Sequence, residues 1–230
     1  MISEETERKI DLACLILLPL SFVVMFLLGF FGYAMNKNHE YATTVQFISI
    51  FVVMVLPFMR IKRIFYAPYW FIFVMTANIY MFSVLLFLGI YDRIWWWDHF
   101  SHWLSSLLVA MIVFIALLII ENYTERITIP KAMLLFLTFM FGLALGCIWE
   151  MWEAGMDGAF GAGMMIYSVH DTLNDLWMDF FGALTMVVLG IVILHFKEPA
   201  EIVGRIGLDH KMRSIGKKWD RRCDGLRRNK

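Results

Sequence analysis

The sequence predicts an all-α fold: a polytopic membrane protein with six transmembrane helices in a bundle and both termini cytoplasmic. Three observations predict it. Of the 230 residues, 60% are hydrophobic, and the mean hydropathy is +0.68, more than a soluble domain of this size normally carries. Six apolar stretches, about 12–34, 42–59, 67–90, 99–120, 131–153 and 171–196, are long enough to cross a hydrocarbon core. Lys and Arg are also unevenly divided. Arg8 and Lys9, then Arg60, Lys62 and Arg63, then Arg126 and Lys131, and 11 more from Lys197 onward make 18 on one side, while only Lys37 and Arg93 fall on the other. The basic side is the cytoplasmic one, and an even number of spans agrees with it. Residues 1–196 are thus expected to form the transmembrane domain and 197–230 a basic tail in the cytoplasm of an inner-membrane protein.

The first span follows the acidic opening Ser3 to Glu7 and is too long for the apolar region of a signal peptide, so it reads as retained. The second is the shortest, and Pro57 is expected to kink or end it. Spans one to three carry almost no ionisable residues and look like scaffold. The 17 methionines recur at no fixed spacing and read as flexible core filler.

Span four opens with YDRIWWWDHFSHWLSS, in which Trp95, Trp96 and Trp97 read as an interfacial aromatic belt. Asp98 and His102 follow, four residues apart and so on one helix face, a frequent metal-ligand pair. His99 points about 100° away and reads as an interfacial or outlying residue. Span five ends in GCIWEMWEAGMDG, which puts Glu150 and Glu153 on neighbouring positions of one face, either as site residues or as markers of the water boundary. The Gly-rich segment 155–169 reads as a mobile outer loop and a candidate lid.

Span six opens with HDTLNDLWMDFFGAL, where Asp171, Asp175 and Asp179 follow at four-residue steps. Each step turns only about 40°, so the three line a stripe roughly 12 Å long. Asp171 alone is also explained as a helix cap. Asp175 and Asp179, one and two turns further in, are not, and a carboxylate in a bilayer costs at least ~2.5 kcal/mol. The tail has 11 basic and five acidic residues. Ile202, Val203, Ile206, Met212, Ile215 and Trp219 among them suggest a helix lying on the inner membrane surface, where anionic lipid rather than nucleic acid accounts for the charge.

The formal net charge of zero hides an outer half with nine acids, Glu40, Asp92, Asp98, Glu150, Glu153, Asp157, Asp171, Asp175 and Asp179, against two bases. Span four begins outside, span five ends outside and span six begins outside, so the three motifs converge within about two turns of the outer surface. Six carboxylates and one imidazole, with Arg93 as the nearby counter-charge, cannot all stay ionised. One or two divalent ions would resolve this, Zn, Mn or Fe in preference, with Mg or Ca as alternatives. His102, Glu150, Asp171 and Asp175 are the expected metal ligands, Glu153 or Asp98 the general base, and Asp179 and His99 additional members. The expected partner is membrane lipid, with a lipid head group or other polar ester of the outer leaflet as substrate. A cation or proton transporter and a non-catalytic assembly subunit are the alternatives. There is no nucleotide loop, Ser nucleophile motif or covalent cofactor signature, and Cys14, Cys147 and Cys223 show no paired or metal-type spacing.

From about Asp92 to Leu184 the chain also resembles the YjdF-like family of small bacterial and archaeal inner-membrane proteins. The resemblance rests on Asp98 and His102 opening one span, Glu150 and Glu153 closing the next, and Asp171 and Asp175 followed by Gly182 and Ala183. It implies that these residues belong together and, since that family has no established activity, implies no particular reaction.

Overall fold

A computed structural model of the protein describes residues 4–35, 39–62, 64, 69–90, 93–124, 127–161 and 169–206. Lys37, Arg63, Asp92, Arg126, residues 162–168 of the expected loop and the tail beyond Ile206, with Met212, Ile215, Trp219 and Cys223, lie outside them. Among the described residues there are seven helices: α1 (Glu4–Phe30), α2 (His39–Ile61), α3 (Tyr69–Phe87), α4 (Trp97–Tyr123), α5 (Lys131–Phe160), α6 (Val169–Phe196) and α7 (Pro199–Ile206). Five of them, α1, α2, α4, α5 and α6, are long and apolar enough to cross a membrane by length and composition. The third expected span, 67–90, is shorter, with its apolar part at Phe71–Phe87. Helices are what a hydrocarbon solvent demands, since each satisfies its own backbone N–H and C=O groups.

Two groups of helices meet along α3 and α4. In the first, α1 and α2 lie along each other, with α3 against α2. In the second, α4, α5 and α6 pack mutually over a core of Ala110, Phe114, Leu118, Leu134, Ala183, Met186 and Leu194. The groups are joined by Phe71 and Ile72, which pack on Met111, by the bond from Asn78 Nδ2 to Ser105 Oγ (3.1 Å), and by Tyr41, Ala42, Val45, Leu86 and Trp97 clustered with Met156. Small residues set how closely α4, α5 and α6 approach. A Cβ on Gly182 would fall 2.4 Å from the Trp103 carbonyl oxygen, and one on Gly142 would fall 3.0 Å from the Ala110 Cβ. Such contacts are how membrane helices gain packing energy without a hydrophobic drive between them.

Several expectations are corrected. Pro57 does not end α2, which runs on to Ile61 with the proline ring fully buried; neighbouring helices tolerate a proline in a membrane helix. The loop expected from residue 155 begins later. Helix α5 continues through Gly155 and Gly158 to Phe160 and stops at Gly161, whose left-handed backbone (φ 62°) lets its N–H bond the Asp157 carbonyl at 2.9 Å. Of the three tryptophans, Trp95 and Trp96 are exposed, but Trp97 is buried in the cluster between the helix groups. In the tail, α7 packs on the bundle. Val203 is fully buried against the α4–α6 core, and Lys131 Nζ reaches the Leu194 carbonyl and Glu198 Oε1, both at 3.3 Å.

Spans one to three are also less bland than expected. Arg60 Nε at the end of α2 donates to Asp11 Oδ1 of α1 at 2.8 Å, both side chains being buried, and the guanidinium lies 4.1 Å over the Tyr69 ring of α3. Tyr69 in turn donates to the Glu7 carbonyl at 3.2 Å. This cluster ties three helix ends together at the end of the bundle remote from Asp98, Glu150 and Asp171. A buried pair is strongly destabilised when one partner is removed, by about 3–5 kcal/mol.

Candidate functional site

Each helix of the second group presents its polar side chains once per turn on the face toward the other two. On α4 the sequence is Asp98, His102, Ser106. On α6 it is Asp171, Asp175, Asp179, and on α5 Gly142 and Gly146 lead to Glu150, with Glu153 three residues beyond. The glycines are spaces that the acids use. A Cβ on Gly146 would fall 2.4 Å from Asp179 Oδ2, so that carboxylate lies directly against the α5 backbone. Ser106 Oγ donates to the other oxygen, Oδ1, at 3.0 Å. The apolar core described above begins immediately beyond this layer, with Ala110 on α4 and Ala183 on α6.

His102 stands in the middle. Its Nδ1 lies 3.5 Å from Asp179 Oδ1 and 3.6 Å from Glu150 Oε1, while Nε2 faces Asp98 Oδ1 at 3.9 Å. Two sets of potential ligand atoms, each within 4.8 Å of one another, share this imidazole: Asp98, His102 and Asp175 form one, and His102, Glu150 and Asp179 the other. The acids are deeply placed, with Glu150 at 6%, Asp175 at 4% and Asp179 at 3% exposure. Glu150 Oε1, Asp175 Oδ1 and Asp179 Oδ2 are each buried without a hydrogen-bond partner among the described residues. Unsatisfied buried carboxylate oxygens are expensive, and so many acids around one imidazole leave an excess of negative charge that only protons or a cation can offset.

Of the residues singled out in the sequence, Asp98, His102, Glu150, Asp175 and Asp179 are brought together here. Glu153 is buried on α5 one turn toward the helix end and belongs to neither set. Asp171 is half-buried in the first turn of α6, outside both sets. His99 is half-buried, with a buried Nδ1 that has no partner among the described residues, and is likewise outside both. Asp179, an additional member in the sequence reading, turns out to touch His102 directly. The sequence reading missed Ser106 and Gly146. Both lie one helical turn from a recognised residue, Ser106 after His102 and Gly146 before Glu150, so continuing the four-residue stripe would have found them.

Tryptophans surround this layer. Trp95 and Trp96 at the start of α4, Trp149 and Trp152 on α5 and Trp177 on α6 are all exposed at the level of the acids, Trp95 at 83%. Between α4 and α6, Trp103 donates its indole N–H to Thr185 Oγ1 at 3.2 Å, and that hydroxyl donates to the Phe181 carbonyl at 2.7 Å.

Comparison with known proteins places the chain among membrane proteins. Residues 17–196 match the family described as Predicted membrane protein (DUF2238). A protein of Thermotoga maritima named only as uncharacterized is 26% identical over 113 residues, which are 49% of this chain and 57% of that relative, so the match spans little more than half of the relative's length. No solved structure matches.

Proposed function

The chain belongs to the DUF2238 family of multi-pass membrane proteins, and we propose that it holds a divalent metal ion at the outer face of the inner membrane and acts there on a lipid head group or other polar ester. In this reading α3 is the sixth crossing. Its 19 residues extend about 28 Å at ~1.5 Å each, close to a ~30 Å hydrocarbon core. The 18-to-2 division of Lys and Arg supports both termini in the cytoplasm and the His102 cluster outside. The motif-level resemblance to YjdF-like proteins belongs to the same reading.

The observation that carries the proposal is the set of buried oxygens around His102 that have no hydrogen-bond partner among the described residues. Their donor chemistry fits a cation: carboxylates with one imidazole suit Zn, Mn or Fe, with Mg or Ca as alternatives. His102, Glu150, Asp171 and Asp175 are the ligand pool from the sequence, and the geometry adds Asp98 and Asp179. When bound, the ion supplies Lewis-acid activation of water and of a phosphoryl or carbonyl oxygen. Glu153, buried one turn from Glu150, is the general base; Asp98 is the alternative base when it is not a ligand. The exposed tryptophans support an interfacial depth, because such rings concentrate where head groups meet acyl chains. That depth makes lipid the partner. The test is elemental analysis of detergent-purified protein, followed by incubation with vesicles of phosphatidylethanolamine and phosphatidylglycerol. Stoichiometric metal and metal-dependent head-group release, both lost in Asp175→Asn, are expected. Metal-free wild type after loading with each candidate ion overturns the proposal.

A transporter is the second reading, favoured by one observation. Asn78, Tyr80 and Ser83 of α3 carry polar contacts to helices of both groups: Asn78 to Ser105 of α4, Tyr80 to Ser21 of α1, and Ser83 to Ser49 (3.1 Å) and Gln46 (2.9 Å) of α2. Gln46 Oε1 is buried without a partner among the described residues.

A further inference from the structure

The two sets of ligand atoms differ in what surrounds them. On the Nδ1 side of His102, Asp179 is held from three directions. Ser106 donates to its Oδ1, the Gly146 backbone leaves no room behind its Oδ2, and the imidazole Nδ1 lies 3.5 Å from Oδ1. A carboxylate fixed in this way is suited to receive an N–H rather than to swing onto an ion. On the Nε2 side, Asp98, half-buried in the first turn of α4, faces the ring at 3.9 Å, and Asp175, grouped with it and His102, is 4% exposed with a buried oxygen that has no partner among the described residues. Asp98 and Asp175 each offer an oxygen within 4.8 Å of the imidazole and of one another, and the buried Asp175 Oδ1 leaves an acceptor there that a cation would satisfy.

We infer that His102 divides the cluster, with Asp98, Asp175 and the imidazole Nε2 forming a seat for one divalent cation while Asp179 acts as a positioning residue that holds the ring through Nδ1–H. The inference rests on the metal reading above and narrows it, moving Asp98 from candidate base to ligand and Asp179 from added ligand to orienting partner. Imidazole has one lone pair to give as a neutral ligand; whichever nitrogen carries the proton needs an acceptor, and a carboxylate in that place fixes the tautomer and raises the basicity of the other nitrogen. Three protein ligands leave open coordination positions, as sites that bind substrate or water require. Ser106 then acts through Asp179, holding the oxygen that faces the ring.

The experiment is titration of chelator-stripped, detergent-purified full-length protein with Zn(II), read by calorimetry and by metal per chain, with Co(II) absorption as a second probe. Wild type is expected to bind one ion per chain. Asp175→Asn should lose binding at Zn(II) concentrations that saturate wild type. Asp179→Asn should still reach one ion per chain, with affinity lower by about 10–100-fold and an unchanged Co(II) coordination spectrum at saturation; Ser106→Ala should shift affinity in the same direction by less. A purely structural role for Asp179 would instead lower the fraction of binding-competent protein and leave the affinity of the remainder intact. Two ions per chain, loss of stoichiometric binding in Asp179→Asn, unchanged affinity in that variant, or wild-type affinity in Asp175→Asn each overturn this inference and leave the metal reading standing. A wild type that binds neither probe overturns both.

Discussion

Replacing Gly146 with Ala tests the architecture of the site through a single methyl group. The added Cβ would fall 2.4 Å from Asp179 Oδ2, 2.8 Å from its Cγ and 3.0 Å from its Cβ, whereas ordinary contact begins near 3.4 Å. The carboxylate must therefore retreat by about 1 Å toward α4, where His102 and Ser106 already stand, or α5 must move away from α6. The first movement disturbs the hydrogen bond from Ser106, worth roughly 1.5–3 kcal/mol when the acceptor is charged, and the second loosens the packing of α5 on α6. Set against this is a helix-propensity gain of about 1 kcal/mol for Ala over Gly. The net expectation is a loss of about 0.5–2 kcal/mol, or a melting temperature lower by roughly 1–8 °C for a chain of this size, together with weaker Zn(II) binding. Gly155→Ala and Gly158→Ala are the internal controls: a Cβ at either meets nothing within 4 Å, so only the propensity gain acts and stability should hold or rise. The assay is thermal unfolding in detergent with and without Zn(II). A Gly146→Ala protein as stable as the controls and with wild-type Zn(II) affinity would refute the idea that Asp179 is wedged between α4 and α5.

Three other outcomes are expected. Arg60→Gln leaves Asp11 buried and uncompensated, costing about 3–5 kcal/mol, whereas the double variant with Asp11→Asn should recover most of that loss; additive losses in the double-mutant cycle would show that the pair does not interact. A cysteine placed at exposed Ala159, with the native cysteines replaced, should react with an impermeant maleimide in intact cells; reaction only after permeabilisation would move the His102 cluster to the cytoplasmic side. In proteoliposomes, wild-type protein should carry neither Zn(II) nor protons across the bilayer, and saturable uptake that is abolished by both Glu150→Gln and Asn78→Leu would replace the enzyme reading with the transporter.

Sequence periodicity reported most of this site because it acts through one helix at a time. The pairs Asp98/His102, Glu150/Glu153 and Asp171/Asp175 are visible as spacings, and their convergence follows from the order in which spans enter and leave the membrane. What periodicity does not carry is the rotation of each helix about its axis. Glu153 and Asp171 share a stripe with residues of the two ligand sets yet stay outside both, while Asp179, the deepest acid, meets His102 because Gly146 opens space for it. Likewise the Asp11–Arg60 pair joins residues 49 apart, and neither partner stands out alone: Asp11 resembles a water-boundary acid and Arg60 a positive-inside anchor. The end of α5 was misplaced for a local reason, since the glycines at 155 and 158 weaken a helix without ending it, and only the left-handed Gly161 stops it.

The choice between chemistry and passage turns on what lies beneath the acids. Within α4, α5 and α6 the layer after Asp179 and Ser106 is Ala110, Ala183 and Met186, followed by Phe114, Leu118, Leu134 and Leu194, with Val203 of α7 against the far end. The polar side chains of α3 offer a detour through Asn78, but it too meets an apolar layer, where Phe71 and Ile72 pack with Leu56, Met75 and Met111. Moving a bare charge through either layer means losing its partners in a medium where an isolated ion is costly by several kcal/mol at least. In the proposed reading the same packing would cost a reaction at the site end nothing, since a substrate held by lipid would reach the acids at the level of the exposed tryptophans and leave by the same side.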